Sequence, residues 1–169
     1  MPVDTLEYKG ERYPAYQATG NAARFVLPFA REVCRGEGFD VGCGRREWAF
    51  PLAIPVDLSL GENWTATNLP IHPAQPDFIF SSHLLEHLPD WVGTLDYWRE
   101  RLKPGGVLFL YLPHYSQGYW RPWNNRKHRN VIEPGQIRDY LTDRGYRNVF
   151  VSGVDLNHSF AAMGEKGCP

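Results

Sequence analysis

Two carboxylates and two glycines are spaced along this chain in a way that can hold a nucleoside. In Phe39-Asp40-Val41-Gly42-Cys43-Gly44 a short apolar run opens into a glycine turn, and Asp57 follows seventeen residues after Asp40. Glycines at such a turn let backbone N–H groups approach a ligand closely, and a carboxylate at the tip of the next strand can accept both hydrogen bonds of a ribose diol. The third glycine of G-x-G-x-x-G, which would pack a helix tightly beside a pyrophosphate, is replaced by Glu47. A dinucleotide is therefore not supported. Asp40, two residues ahead of Gly42, instead suits the ammonium of an amino-acid group carried on the nucleoside.

Further along, His83-Leu84-Leu85-Glu86-His87 satisfies H-x-x-E-H, the pattern of inverted zinc peptidases. On a helix, histidines four apart share a face and could ligate one metal ion. Here the pentapeptide follows an apolar strand and is cut off by Pro89 after one turn, so no long helix holds the pair and no metal ligand is assigned. The plainer expectation is that Glu86 and His87 satisfy local backbone groups while Leu84, Leu85 and Leu88 pack inward, with His83 or His87 facing substrate as the alternative. His114 and Tyr115 stand just past an apolar strand at 106–112, at the edge where open α/β sheets bind ligands. A neutral imidazole there suits general-base catalysis near pH 7. The following segment interleaves Trp120 and Trp123 with Arg121, Arg126, Lys127 and Arg129. It reads as a lid over a small or glycan-like acceptor, as a nucleic-acid stripe, or as a solvated loop.

These residues need a scaffold, and the chain supplies alternating strand and helix patterns without repeats, which predicts an α/β layer fold. Strands are expected at 38–41, 53–56, 77–80 and 106–112. Asp90 is expected to cap a helix carrying Trp91, Val92, Leu95, Trp98 and Leu102, which Lys103-Pro104-Gly105-Gly106 stops. A helix over 134–144 precedes two closing strands, 148–154 and 159–164, whose short connection requires an antiparallel pair. Near the N-terminus, Asn21 is expected to cap one short helix and Pro28 to open a second. We divide a single domain into an N-terminal arm with helices over 1–35 and a Rossmann-like core over 36–169.

With 169 residues and 18 basic against 19 acidic side chains, the chain offers no global charge for a polyanion. Nucleic acid is not expected as partner, nor is a membrane, since no apolar run approaches the roughly 20 residues of a span. Cys34, Cys43 and Cys168 show no metal-ligand spacing and fit a reducing compartment. With an N-terminus that lacks a basic stretch ahead of an apolar one, this predicts a cytoplasmic protein, with no oligomeric state assigned.

Three segments together resemble the class I S-adenosylmethionine-dependent methyltransferases, in particular their small-molecule, methyltransferase-11-like branch. They are Asp40-Val41-Gly42-Cys43-Gly44, the run from Asp77 to Leu88 (Asp77-Phe78-Ile79-Phe80-Ser81-Ser82-His83-Leu84-Leu85-Glu86-His87-Leu88), and Leu102-Lys103-Pro104-Gly105-Gly106-Val107-Leu108. The resemblance implies a Rossmann-like, mostly parallel sheet flanked by helices, closed by a C-terminal antiparallel strand pair, and S-adenosyl-L-methionine as cofactor. It places Asp40, Gly42 and Gly44 at the methionine part of that cofactor and Asp57 at the ribose, with Cys43 and Leu58 beside them among the cofactor-binding residues. Asn68 and Leu69, within Ala66-Thr67-Asn68-Leu69-Pro70, fall on the adenine side, and Ser81 and His83 beside the sulfonium. His114 and Tyr115 are the candidate catalytic residues of a metal-independent transfer to a small-molecule or glycan-like acceptor. The alternative is a catalytically idle cofactor-binding module that acts through a protein partner. The chain departs from the family in a nearly absent first crossover helix, a short stretch between Asp57 and Asp77, and Thr65 where an acidic residue often stands.

Overall fold

The computed structural model describes residues 4–8, 10–15, 20–116 and 127–168. A hairpin of β1 (Thr5–Tyr8) and β2 (Glu11–Pro14) forms a two-stranded sheet of its own beside a six-stranded one. That sheet is built from β3 (Gly38–Val41), β4 (Ile54–Val56), β5 (Phe78–Ser82), β6 (Val107–Pro113), β7 (Tyr146–Val151) and β8 (Ser159–Lys166), in the order β4-β3-β5-β6-β8-β7. The pairs among β4, β3, β5 and β6 are parallel, and β8 joins both β6 and β7 antiparallel. This is the Rossmann-like α/β arrangement the sequence predicts.

Period two divides the buried strands between two cores. Ile79, Leu108 and Leu110 face α2 (Trp91–Arg101) and α3 (Pro134–Asp143), meeting Leu95, Trp98, Ile137 and Leu141. Phe78, Phe80, Phe109 and Tyr111 face α1 (Ala23–Val33), meeting Val26 and Ala30. Asp90 caps α2 by accepting the Gly93 N–H at 2.8 Å, and Asp96 on α2 holds Arg144, just past α3, through two bonds of 2.7 and 2.9 Å. No helix among the described residues is long and apolar enough to cross a membrane.

Two features differ from the sequence reading. The pair of short helices expected at Asn21 and Pro28 is one helix with Pro28 inside it and no side-chain cap. An internal proline costs about 3 kcal/mol. Ala22, Val26, Ala30 and Cys34, spaced four apart, bury against the aromatic face of the sheet, and that burial outweighs the penalty. The hairpin in the N-terminal arm was also not expected, because Lys9-Gly10 is a weak turn signal without flanking apolar alternation.

After β4 the chain runs to β5 through one 3-10 turn, Leu58–Leu60, and an isolated bridge between Thr65 and Asn68. With no strand to fix it, this stretch hangs on side chains of α2. Trp98 Nε1 donates to the Ala66 carbonyl at 2.7 Å, the Leu69 N–H donates to Tyr97 Oη at 3.0 Å, and Arg101 Nη2 donates to the Pro70 carbonyl at 2.5 Å. Leu69 is thereby drawn into the core.

Candidate functional site

The C-terminal ends of β3, β4 and β5 converge at one edge of the sheet, where open α/β sheets leave a crevice. Gly42 leaves β3 with φ of 87°, a left-handed conformation that suits glycine. A Cβ there would lie 2.9 Å from Leu84 Cβ, so the bare backbone keeps the crevice open. The turn is laced to the next strand: Asp57 Oδ2 accepts the Gly44 N–H at 2.8 Å, its Oδ1 accepts the Ser59 N–H at 2.9 Å, and Ser59 Oγ donates to the Gly44 carbonyl at 2.6 Å. Asp57 thus braces the glycine loop while keeping lone pairs for a further donor, since each carboxylate oxygen carries two.

Two clefts of about 420 and 460 Å³ open on this edge and share Gly42, Asp57 and Leu84. The first is the more polar of the two, with Asp40, Cys43, Gly44, Trp48 and His83 in its wall. The second is largely apolar, with Val56, Leu58, Ala66, Leu88 and the flanking Thr65 and Thr67. A nucleoside bearing an amino acid needs such a division: an apolar slot for the base, a diol acceptor at the junction and a carboxylate beyond it. S-adenosylmethionine therefore fits the residues present.

Asp40 is 2% exposed and accepts the Phe50 N–H at 2.6 Å. Burial pushes its carboxyl up to about 7; the Phe50 N–H pulls it down and the charge of Asp57 raises it further. His83 follows β5 with φ of 51°, its N–H donating to the Tyr111 carbonyl at 2.8 Å. Its Nε2 stands 2.9 Å from Ser159 Oγ, which gives its own proton to the Asn157 carbonyl, so Nε2–H is the donor in this pair. Burial drives His83 down to about 3, with His128 and His87 adding to the effect, and the ring stays neutral.

Of the residues expected from sequence, Asp40, Gly42, Cys43, Gly44, Asp57 and His83 line the polar cleft, and Leu58 joins Asp57 in the apolar one. Ser81 lies beneath them, 2% exposed, donating to the Val41 carbonyl. Asn68 turns away to donate to the Asn63 carbonyl, and neither it nor Leu69 is in either wall. His114 and Tyr115 stack on each other with ring centroids 4.5 Å apart, outside both walls. His114 Nδ1 accepts the Ser116 N–H at 3.2 Å, and its Nε2 lies 3.9 Å from Glu133. Burial holds this imidazole below its usual value against the pull of Glu133. The aromatic-basic segment falls mostly outside the described residues, which resume at Lys127.

Sequence reasoning did not single out Trp48, Asn21 or Ala22 as residues of the polar wall. Trp48 sits in a three-residue 3-10 turn, too short to show periodicity, and α1 reaches the cleft only through the sheet's tertiary packing. The H-x-x-E-H pattern does not form a two-histidine helix face. His83 lies before the 3-10 turn Leu85–His87 and binds Ser159, while His87 faces Glu86 and His128.

A family model described as a methyltransferase domain matches residues 18–151. Among solved structures, the chain resembles the N-methyltransferase NodS of Bradyrhizobium japonicum in complex with S-adenosyl-L-homocysteine, at a TM-score of 0.62 and 14% identity. That match covers 90% of this chain and 88% of the other. A SAM-dependent methyltransferase of Thermotoga maritima gives a TM-score of 0.63 at 14% identity, over 89% and 92% of the two chains. A chain from the complex of the Haloferax volcanii Trm112 methyltransferase activator gives 0.65 at 14% identity, over 90% and 92%. At these identities the likeness is one of fold. No curated protein matches the chain.

Proposed function

Because the chain belongs to the methyltransferase-domain family, we propose that its paired clefts bind S-adenosyl-L-methionine and that it methylates a small-molecule or glycan-like acceptor without a metal ion in the displacement. The observation that carries this reading is the junction of a polar and an apolar cleft at Gly42 and Asp57. The three cysteines are free thiols, which supports a reducing, cytoplasmic setting.

When bound, the cofactor supplies an electrophilic methyl group on a sulfonium that departs as a neutral thioether. The residues of this chain have to bind, align and exclude water, and orientation alone can supply several kcal/mol of barrier lowering. In this reading Asp57 accepts from the ribose diol, Asp40 takes the ammonium and the Gly42–Gly44 backbone lies against the methionine part. His83, rather than His114, stands in the cleft wall. A ring held neutral adds no charge beside a cationic reactant, so His83 orients the N–H or O–H of the acceptor by hydrogen bonding, and the proton that the methylated acceptor loses passes to solvent rather than to this ring. His114 and Tyr115, beside the start of the aromatic-basic segment, are assigned to acceptor recognition.

Incubating the protein and S-adenosylmethionine with panels of small amines, alcohols and oligosaccharides tests the activity. S-adenosylhomocysteine should accumulate with at least one acceptor class and not with DNA or RNA. The sheet edge at β4, flanked in sequence by exposed Leu52 and Leu58, favours a second reading as a cofactor-binding module that acts through a protein partner. Cofactor binding without turnover across the whole panel would select it.

The ammonium assignment has a pH signature. Asp40 has its carboxyl raised from 3.8 to about 7, so the folded chain keeps a proton that the unfolded chain releases. This group costs stability as pH rises from about 4 to about 7. Binding an ammonium favours the ionised form, so cofactor affinity should rise with pH up to about 7 and then level off. Calorimetry across that range should give this slope for the parent and a flat profile for Asp40→Asn; equal slopes would remove Asp40 from the ammonium site.

A further inference from the structure

Glu86 is 2% exposed, and neither of its carboxylate oxygens has a hydrogen-bond partner among the described residues. A buried carboxylate without donors is costly, so its surroundings have to be read for what would satisfy it. His87 answers in part. Its Nδ1 lies 3.0 Å from the Lys127 carbonyl, an acceptor only, so Nδ1 carries the proton of the neutral ring. The lone pair of Nε2 then points at Glu86 Oε1, 3.5 Å away. A lone pair facing a carboxylate calls for a positive centre between them. On the other side stands His128, 5% exposed, with its ring centroid 4.7 Å from that of His87. One ligand atom from each of Glu86, His87 and His128 lies within 4.8 Å of the other two.

We propose that Glu86, His87 and His128 form a binding site for one divalent first-row transition-metal ion of the zinc type. Two imidazoles and one carboxylate are a donor set for such ions, and three protein ligands leave a fourth position for water. Bonds of 2.0–2.2 Å in a tetrahedral arrangement put ligand atoms about 3.3 Å apart, so small side-chain rotations close the observed spacing. The backbone beneath is already fixed. The Glu86 carbonyl accepts the N–H groups of Arg129 and Asn130 at 2.7 and 3.1 Å, and Asn130 Nδ2 donates to the carbonyls of Leu85 and Leu88 at 3.2 and 2.7 Å. The Lys127 carbonyl orients His87 as an outer-shell acceptor orients a metal-bound histidine.

Lys127 and His87 also line the polar cleft. The ion therefore pins the returning end of the segment after β6 to the rim of that cleft, as a clamp outside the displacement itself. The site does not depend on the methyl-transfer reading.

The 169-residue chain, stripped with EDTA and dialysed, is titrated with zinc sulfate by calorimetry and with cobalt(II) by visible absorption. One equivalent should bind per chain, and cobalt should give the intense d–d bands of a low-coordinate site. Glu86→Gln and His128→Asn should each weaken zinc binding about tenfold or more. Glu86→Gln keeps the shape of the buried side chain without its ionisable carboxyl, so its metal-free form should melt no lower than the parent, which separates lost binding from lost folding. Absence of saturable binding would overturn the proposal and leave a proton as the positive centre between Glu86 and His87. Zinc binding that both substitutions leave unchanged would overturn it as well, moving the ion to other ligands such as Cys43.

Discussion

Replacing Asp57 with alanine is expected to weaken cofactor binding by about 1–3 kcal/mol, roughly five- to 150-fold. The carboxylate has two duties, and alanine ends both. It accepts the Gly44 and Ser59 N–H groups, which fixes the glycine loop against the tip of β4, and it presents its remaining lone pairs where the two clefts join. Asp57→Asn separates the duties. Its amide keeps one oxygen for a backbone donor but turns an N–H toward the other, so it should fall between parent and alanine. Equilibrium dialysis against S-adenosylhomocysteine reads the difference, with circular dichroism as a check on folding. Unchanged affinity in Asp57→Ala would remove the residue from the site.

The largest stability effect should come from Trp98. Its side chain is fully buried between α2 and the sheet, and truncating a buried tryptophan to alanine costs about 3–5 kcal/mol. Trp98 also tethers the wall of the apolar cleft through the bond from Nε1 to the Ala66 carbonyl. Trp98→Phe keeps most of the packing and loses that bond, so it should cost less in stability, about 1–3 kcal/mol, yet still weaken cofactor binding. Urea unfolding and a binding titration on both variants distinguish the effects. A loss below about 1 kcal/mol in Trp98→Ala would contradict the packing account.

Much of this arrangement is legible in the residues because the signals are local. A glycine turn after a buried strand, Asp90 before an apolar helix and Gly105-Gly106 after it each act within a few residues. The apolar run of β6 announces a strand covered on both faces, as the two cores confirm. What stays hidden is set by tertiary contact. Pro28 reads as a helix start and becomes interior, because an apolar stripe four residues apart finds an aromatic sheet face that only folding assembles. Asn68 and Leu69 read as cofactor contacts by motif, but the pull of Tyr97 and Trp98 from α2 turns the segment so that Ala66 and Thr67 meet the cleft instead. The grouping of Glu86 and His87 with His128 joins residues some forty apart, and H-x-x-E-H spacing suggested a different pair.

The most direct test of the account is a calorimetric titration of the protein with S-adenosylmethionine and, separately, with S-adenosylhomocysteine. The paired clefts predict saturable one-to-one binding of both ligands. Absence of binding at millimolar ligand would contradict the account, because the loop after β3 and the shortened stretch after β4 would then not form a cofactor site.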